Sequence, residues 1–287
     1  MATGLVLTGG GLRGICAQTG ALVALERRGY RFDAIIGTSA GAIVGALYAS
    51  HGPGSAEAIA DRLRSIRRED YLDELNIAEL LFKKEVLNVP ITGLHSGAPL
   101  LAWLRDNLGQ ECIEKCEPPL FLSVTNISRS FPQIKTEGPL AEFARASSAV
   151  PGFFEAQEVE GEVYVDGGVA NNVPVDELAK RREDLDQFLV LTSLGAPQEP
   201  EPDNDFLNDN FPLLAVLERS LRAAGEGLAL NNLSAGERRV EVLRVQAPDI
   251  DLEDAARVGE TIDAAIANAE RQIAEAAIDL TGIRREG

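Results

Sequence analysis

The chain is short of lysine, histidine and cysteine, and each shortage excludes something. Lysine occurs only at positions 83, 84, 115, 135 and 180, so 22 of the 27 basic residues are arginines, set against 45 carboxylates. The resulting net charge of −18 and pI near 4.6 argue against nucleic acid and against adsorption by bulk charge to an anionic membrane. Few lysines among many carboxylates suit a cytosol rich in salt, where self-repulsion is screened; codon bias with selection for solubility gives the same balance. Cys16, Cys112 and Cys116 are odd in number and scattered, which is no disulfide framework, and with only two histidines there is no zinc pattern. Cys112 and Cys116, one helical turn apart, read as packing residues or free thiols. No carboxylate run has EF-hand spacing; Asp249-Ile250-Asp251-Leu252-Glu253-Asp254 reads instead as the entry to a helix. No metal and no cofactor are expected. The longest apolar runs are broken well short of a membrane span, and no basic region, apolar core and cleavage site open the chain. The expectation is a cytoplasmic protein, with export by a signal-independent system left open.

What is present is enough for a sizeable core: 287 residues, 45% of them hydrophobic. Strand and helix signals alternate, which favours an α/β fold, a three-layer α/β/α sandwich with a mostly parallel central sheet. Strands are expected at Leu5–Thr8, Asp33–Ile36, Leu120–Ile127, in the run ending at Asp166, at Gln187–Leu194 and at Val240–Val245. Residues 1–287 read as one domain, with the motifs in about 4–195 and a strand and helices in 196–287 completing it. The polar, proline-rich stretch Ala196–Asn210 reads as a loop, with helices from Pro212 to about Asn231 and from Glu260 to about Leu280.

The chemistry centres on Gly37-Thr38-Ser39-Ala40-Gly41, between an apolar strand and a small, apolar, proline-free helix pattern. A G-x-S-x-G in that setting is a nucleophile elbow: flanking glycines allow a sharp turn and close backbone approach, and the hydroxyl is left exposed at the sheet's edge. Serine between glycines also occurs in ordinary tight turns. A second element narrows the choice. The strand Leu5–Thr8 runs into Gly9-Gly10-Gly11-Leu12-Arg13-Gly14 and then a helix with Ile15, Leu22 and Leu25 toward one face. Successive glycines let backbone N–H groups converge on one point, as an oxyanion hole requires; Arg13 can hold the loop's shape or add positive potential. Gly9, Gly11 and Gly14 also spell G-x-G-x-x-G, so NAD(P) binding is the rival. Asp33 lies at nearly the spacing of a ribose-binding acid, but it opens the second strand where such an acid would close it.

The partner of the serine follows from Val163-Tyr164-Val165, which alternates as a strand and ends at Asp166-Gly167-Gly168. A carboxylate there can reach a neighbouring elbow, or simply satisfy the N–H groups of its own turn. A Ser-His-Asp hydrolase of the α/β type needs its histidine after the acid, and His51 and His95 both precede Asp166. His51 suits the last carbonyls of the elbow helix. His95 lies just before a helix at Ala98–Leu108, for which Ser96 is the expected N-cap. A two-residue arrangement remains, with Asp166 acting directly on Ser39. Such a base should work well below the imidazole range near pH 6.5, unless burial moves its titration upward.

The glycine loop, the Ser39 elbow and Asp166-Gly167-Gly168, in this order, resemble the patatin-like phospholipases. A fourth stretch, Ala146-Ser147-Ser148-Ala149-Val150-Pro151-Gly152-Phe153-Phe154, is similar as well. The resemblance implies an α/β/α fold and acyl-ester hydrolysis without histidine, of phospholipase A, lysophospholipase or carboxylesterase type. Ser39 would be the nucleophile, Asp166 the base, and the amides around Gly10, Gly11 and Leu12 the oxyanion donors. Thr8 stands where many members carry an aspartate, although others have a small polar residue there. A catalytically idle binding protein on the same fold is a third reading. The partner expected is a lipid or acyl-ester substrate, with transient contact at a membrane surface and no nucleic acid. Tyr71–Phe82 and Phe206–Leu217 are apolar stretches able to line an acyl site or to pack on the sheet.

Overall fold

Alternation of side chains across the strands builds the layers. β1 (Thr3–Leu7), β2 (Ala34–Thr38), β4 (Leu120–Asn126), β9 (Gln187–Thr192) and β10 (Arg239–Arg244) run parallel in the order β10-β9-β1-β2-β4. Leu5 and Leu7, Ile35, Leu122, and Leu189 and Leu191 face one core; Val6, Ile36, Phe121, and Phe188 and Val190 face another. A sheet with two apolar faces needs cover on both. The computed structural model describes residues 1–74, 93–193, 235–275 and 279–283. Within them α1 (Gly11–Glu26), α2 (Ala40–His51), α3 (Ala56–Arg64), α4 (Ala98–Asn107), α5 (Leu140–Ser147) and α7 (Val258–Ala274) contribute to the larger core, and α6 (Val175–Arg181) to the smaller. The fold is a three-layer α/β/α arrangement around a mostly parallel sheet. β10 and α7, from beyond the motif-bearing part, join this sheet and core. A Cβ at Gly20 of α1 would come within 2.6 Å of the Ala265 side chain in α7, so these helices approach closely.

Two strands run against the rest: β5 (Phe131–Lys135) and β8 (Glu162–Asp166) are antiparallel to β4, and β7 (Gln157–Val159), antiparallel to β8, returns to the common direction. A short separate pair joins β3 (Gly93–His95) to β6 (Gly152–Phe154). The register of β4 fixes where the site lies. Leu122 and Ser123 pair with both β2 and β5, whereas Val124, Thr125 and Asn126 pair with both β5 and β8. A strand has only two edges, so β2 and β8 share one edge of β4, end to end. Their directions are opposite, and their carboxyl ends meet, Thr38 opposite Ser123 and Asp166 opposite Val124.

Several local expectations need correcting. α1 is buried nearly all round: Ile15 is only partly buried, while Leu12, Gly14 and Cys16 through Leu25 are buried. The N-cap of α4 is Gly97 in the left-handed region, and Ser96 lies one residue earlier, its Oγ accepting from Ala98 N–H at 3.2 Å. Gly97 is forced by its surroundings as well as its φ of +70°, since any Cβ would collide with the buried Arg145 guanidinium. The acidic run 249–254 leads into a 3₁₀ turn at Ala255–Arg257, capped by Asp254, which continues directly into α7. Two of its carboxylates also pair with arginines, Asp249 with Arg13 at 2.5 Å and Glu253 with Arg68. Of the expected apolar stretches, Tyr71 and Leu72 are buried. Phe206–Leu217, the loop 196–210, the helix 212–231 and most of Tyr71–Phe82 lie outside the described residues. Among the described residues no helix is long and apolar enough to cross a membrane, and no group of His, Cys, Asp and Glu could hold a metal ion.

Candidate active site

Ser39 follows β2 directly and caps α2 from a backbone of φ +55°, ψ −120°. A non-glycine residue there is strained, and such strain gathers at functional positions. The glycines on either side serve a different purpose from the turn itself. A Cβ at Gly37 would strike the Gly41 carbonyl, and one at Gly41 would strike the Leu7 carbonyl. They allow α2 to close on β1 and β2, while the serine carries the unusual dihedrals. Gly41 N–H donates to the Thr8 carbonyl at 3.1 Å, tying elbow to glycine loop. Thr38 and Ala40 are both buried beside it.

The junction of β2 and β8 brings Asp166 to this serine. Asp166 is 4% exposed; its Oδ1 accepts from Gly168 N–H at 2.7 Å, and its Oδ2 is buried without a hydrogen bond. Burial pushes its pKa up to about 6, against opposing contributions from the Ser39 hydroxyl and the Gly168 amide. The hydroxyl is thus close enough to stabilise the carboxylate, yet no bond with hydrogen-bond geometry closes on Oδ2. An acceptor with a free buried lone pair beside a serine can take the serine's proton. Gly167 is required because a Cβ there would collide with the Ser123 carbonyl.

The glycine loop separates into spent and free donors. Gly9 N–H donates to Asn172 Oδ1 at 2.9 Å, and Gly14 N–H to the Gly10 carbonyl at 2.8 Å. Both are engaged, which leaves the amides around Gly10, Gly11 and Leu12 as the candidate donors. Gly11 and Leu12 open α1, where the first N–H groups have no intrahelical acceptor. Gly11 has φ +58° and open space where a side chain would be; a Cβ at Gly10 would lie 2.6 Å from Ser193 Oγ. Gly9 passes close to Ser39, its Cβ position lying 3.3 Å from the serine's Cβ. Arg13 pairs with Asp249 and so ties the loop to the segment before α7.

The rival residues lie elsewhere. Asp33 accepts from Thr3 N–H at 2.7 Å, at the amino end of β1 and β2, across the sheet from the glycine loop. It cannot serve a ribose bound at Gly9–Gly14. His51 Nδ1 bonds the Leu47 carbonyl at 2.9 Å and its Nε2 meets Arg62. His95 is buried, with Nδ1 3.1 Å from the Asp73 carbonyl and its ring 5.0 Å from that of Phe153. Neither histidine bonds Ser39 or Asp166. All three cysteines are free, and burial pushes the Cys16 and Cys116 thiols up to about 12, far from thiolate chemistry.

Two residues of the site carried no signal of their own in the sequence. Asn172 holds Gly9 and also lies against Gly168, whose Cβ position is 3.2 Å from Asn172 Oδ1. Ser147 accepts from Ser39 N–H at 2.9 Å. Both lie in or beside stretches singled out above, but nothing marks one polar residue among its neighbours until the chain is folded.

The family described as "Patatin-like phospholipase" matches residues 5–179, more than half of the chain. Similar curated proteins include "Lysophospholipase NTE1" of Mycosarcoma maydis, 33% identical over 180 residues, which are 61% of this chain and 9% of that protein. "Patatin-like phospholipase domain-containing protein 7" of Rattus norvegicus is 34% identical over 179 residues, 61% of this chain and 12% of the relative. "Neuropathy target esterase sws" of Drosophila melanogaster is 31% identical over 175 residues, 60% and 12% of the respective chains. The chain thus matches only about a tenth of the length of these relatives. Among solved structures, VipD from Legionella pneumophila superposes with a TM-score of 0.43 at 17% identity, covering 96% of this chain and 67% of that one.

Proposed function

The chain belongs to the patatin-like phospholipase family, and from that premise we propose that it is a lipid acyl hydrolase acting through Ser39 with Asp166 as its base. The observation that carries the proposal is the buried Asp166 carboxylate, its pKa raised to about 6, interacting with a serine hydroxyl on a strained elbow. A free serine hydroxyl is a poor nucleophile, and a base within reach whose pKa lies near the working pH is what activates it.

In the proposed cycle Asp166 removes the Ser39 proton as Oγ attacks the acyl carbonyl carbon. The negative charge that develops on the carbonyl oxygen is met by the free amides of Gly10, Gly11 and Leu12 and by the amino end of α1. Collapse breaks the bond to the alcohol, which leaves with the proton held by Asp166, and the acyl group stays on Ser39. Water then attacks the acyl-enzyme, again losing its proton to Asp166, and the carboxylic acid departs as Ser39 recovers its hydrogen. No histidine and no metal ion enter the cycle. The substrate class is a phospholipid, lysophospholipid or simpler carboxylic ester, and substrate held in a lipid aggregate brings the protein into transient contact with that surface.

The test pairs chemistry with labelling. Wild type is expected to hydrolyse a short-chain p-nitrophenyl ester and to react rapidly with a fluorophosphonate probe. Ser39→Ala should lose both, and Asp166→Asn should lose hydrolysis by several orders of magnitude while staying folded. Activity that survives both changes would sink the assignment.

A further inference from the structure

The stretch Ala146–Phe154 has no part in the cycle above, yet it holds both reacting residues by their backbones. Ser147 is the last residue of α5 and is fully buried. Its Oγ accepts from Ser39 N–H at 2.9 Å and donates to the Ser123 carbonyl at 2.6 Å. Two residues further on, the Ala149 carbonyl accepts from Asp166 N–H at 3.0 Å. Ser123 is the residue of β4 opposite the carboxyl end of β2, immediately before the residue opposite Asp166. The Ser147 hydroxyl therefore stands at the gap where the two strands meet, and one short segment takes the amide of each.

We propose that Ser147 is a positioning residue that clamps Ser39 in its strained backbone, while the Ala149 carbonyl holds the backbone of Asp166. The proposal rests on the reading of Ser39 as nucleophile. The physical reason is specific to a hydroxyl. A single buried group must accept from an N–H and donate to a C=O at once. Alanine cannot do either, and leaves Ser39 N–H and the Ser123 carbonyl buried without this partner. A residue at φ +55° persists only when its surroundings hold it there. With the clamp gone, the Ser39 backbone relaxes and its hydroxyl moves away from Asp166, while the surfaces that receive the substrate are unchanged.

The experiment compares Ser147→Ala, Ser147→Thr and Ser148→Ala, each checked for folding by thermal melt. Ser148 is the control, since its Oγ bonds only the Arg145 carbonyl within its own helix at 3.0 Å. Ser147→Ala is expected to lower kcat for the p-nitrophenyl ester about 10- to 100-fold, the order expected for unpaired buried groups. KM should stay within about twofold. Fluorophosphonate labelling should slow in proportion, and Ser147→Thr, which keeps the hydroxyl, should recover most of the loss. Ser148→Ala should match wild type. A folded Ser147→Ala with kcat within twofold of wild type overturns the proposal, as does an equal loss in Ser148→Ala. Should Ser147→Ala fail to fold, Ser147→Cys keeps the volume with a weaker donor and acceptor, and full activity there also overturns it. A wild type that neither hydrolyses the ester nor takes the label defeats the Ser39 reading before position 147 is touched. Hydrogen exchange at Ser39 N–H then still judges the clamp: it should be slow in wild type and fast in Ser147→Ala, and equal rates overturn it.

Discussion

Asp166 is a residue whose catalytic use and structural cost have the same origin. Burial raises its pKa from 3.8 to about 6, so the folded chain holds its proton more tightly than the unfolded chain does. The stability from this group is therefore fully present below about pH 3.8 and is lost as pH rises through about 6. Above that, keeping the carboxylate charged costs up to about 3 kcal/mol. Asparagine has nearly the same shape, can still accept from Gly168 N–H and carries no charge. Asp166→Asn is accordingly expected to melt at a higher temperature than wild type at pH 8, with the gap closing toward pH 4. A variant less stable than wild type at pH 8 would contradict the burial argument. Hydrolysis runs the other way, because the base must be ionised, and the acidic limb of kcat/KM should lie near the value of about 6 for this carboxylate. The sequence left open that burial would move this titration upward, and the raised pKa of the buried carboxylate puts the expected limb close to the imidazole range. Replacing both His51 and His95 by alanine should leave it in place.

At the scale of elements, the loop between β1 and α1 makes a sharper prediction than its glycine count did. Gly11 is needed for its φ of +58° and meets nothing within 4 Å, whereas a Cβ at Gly10 would press on Ser193 Oγ. Asparagine tolerates the left-handed region and valine does not. Gly11→Asn should keep most of the wild-type kcat, while Gly11→Val and Gly10→Ala should lose on the order of 10²-fold, as for one displaced oxyanion donor. Equal kcat in Gly11→Val and wild type would mean that the loop is not the oxyanion site. The elements that sequence made legible are those with strong apolar signals. β1, β2, β4, β9 and β10 were all visible within one or two residues: the first four are near-continuous apolar runs, as strands buried on both faces are, and the edge strand β10 shows through Val240, Val242 and Leu243. β5, β7 and the β3–β6 pair were not, since they are short, and Phe131–Lys135 is polar or exposed along most of its length. Ser39, Asp166 and the glycine loop could be read because glycines flank them. Their pairing followed only from setting the histidines aside; the geometry behind it depends on β2 and β8 abutting along one edge of β4, a fact of register that no local pattern carries. Ser147 and Asn172 stayed hidden for the same reason, each being an ordinary polar residue until the fold turns it toward Ser39 or Gly9.

Across the whole molecule, attraction between specific pairs opposes repulsion among the excess carboxylates. Arg27, after α1, reaches Glu57 of α3 at 3.2 Å and Glu270 of α7 at 3.0 Å, and Arg64 joins α3 to Asp263 of α7 at 2.7 Å. The forked guanidinium lets one side chain serve two carboxylates, which suits a chain with 22 arginines and five lysines. These pairs are partly exposed, and each such pair is worth only about 0–1 kcal/mol. The net charge of −18 acts over the entire surface and always disfavours the compact state. Salt weakens both, but a Debye length that falls to about 3 Å at about 1 M removes the long-range repulsion more completely than it removes contacts at hydrogen-bond distance. The melting temperature should therefore rise as potassium chloride is raised from about 0.05 M to about 1 M. Charge-neutralising changes at unpaired surface carboxylates should raise the low-salt melting temperature and flatten the salt dependence. A melting temperature that falls with salt would mean that the arginine pairs contribute more than the carboxylate excess costs, and that the arginine-rich composition, not the acidic one, sets the stability of this fold.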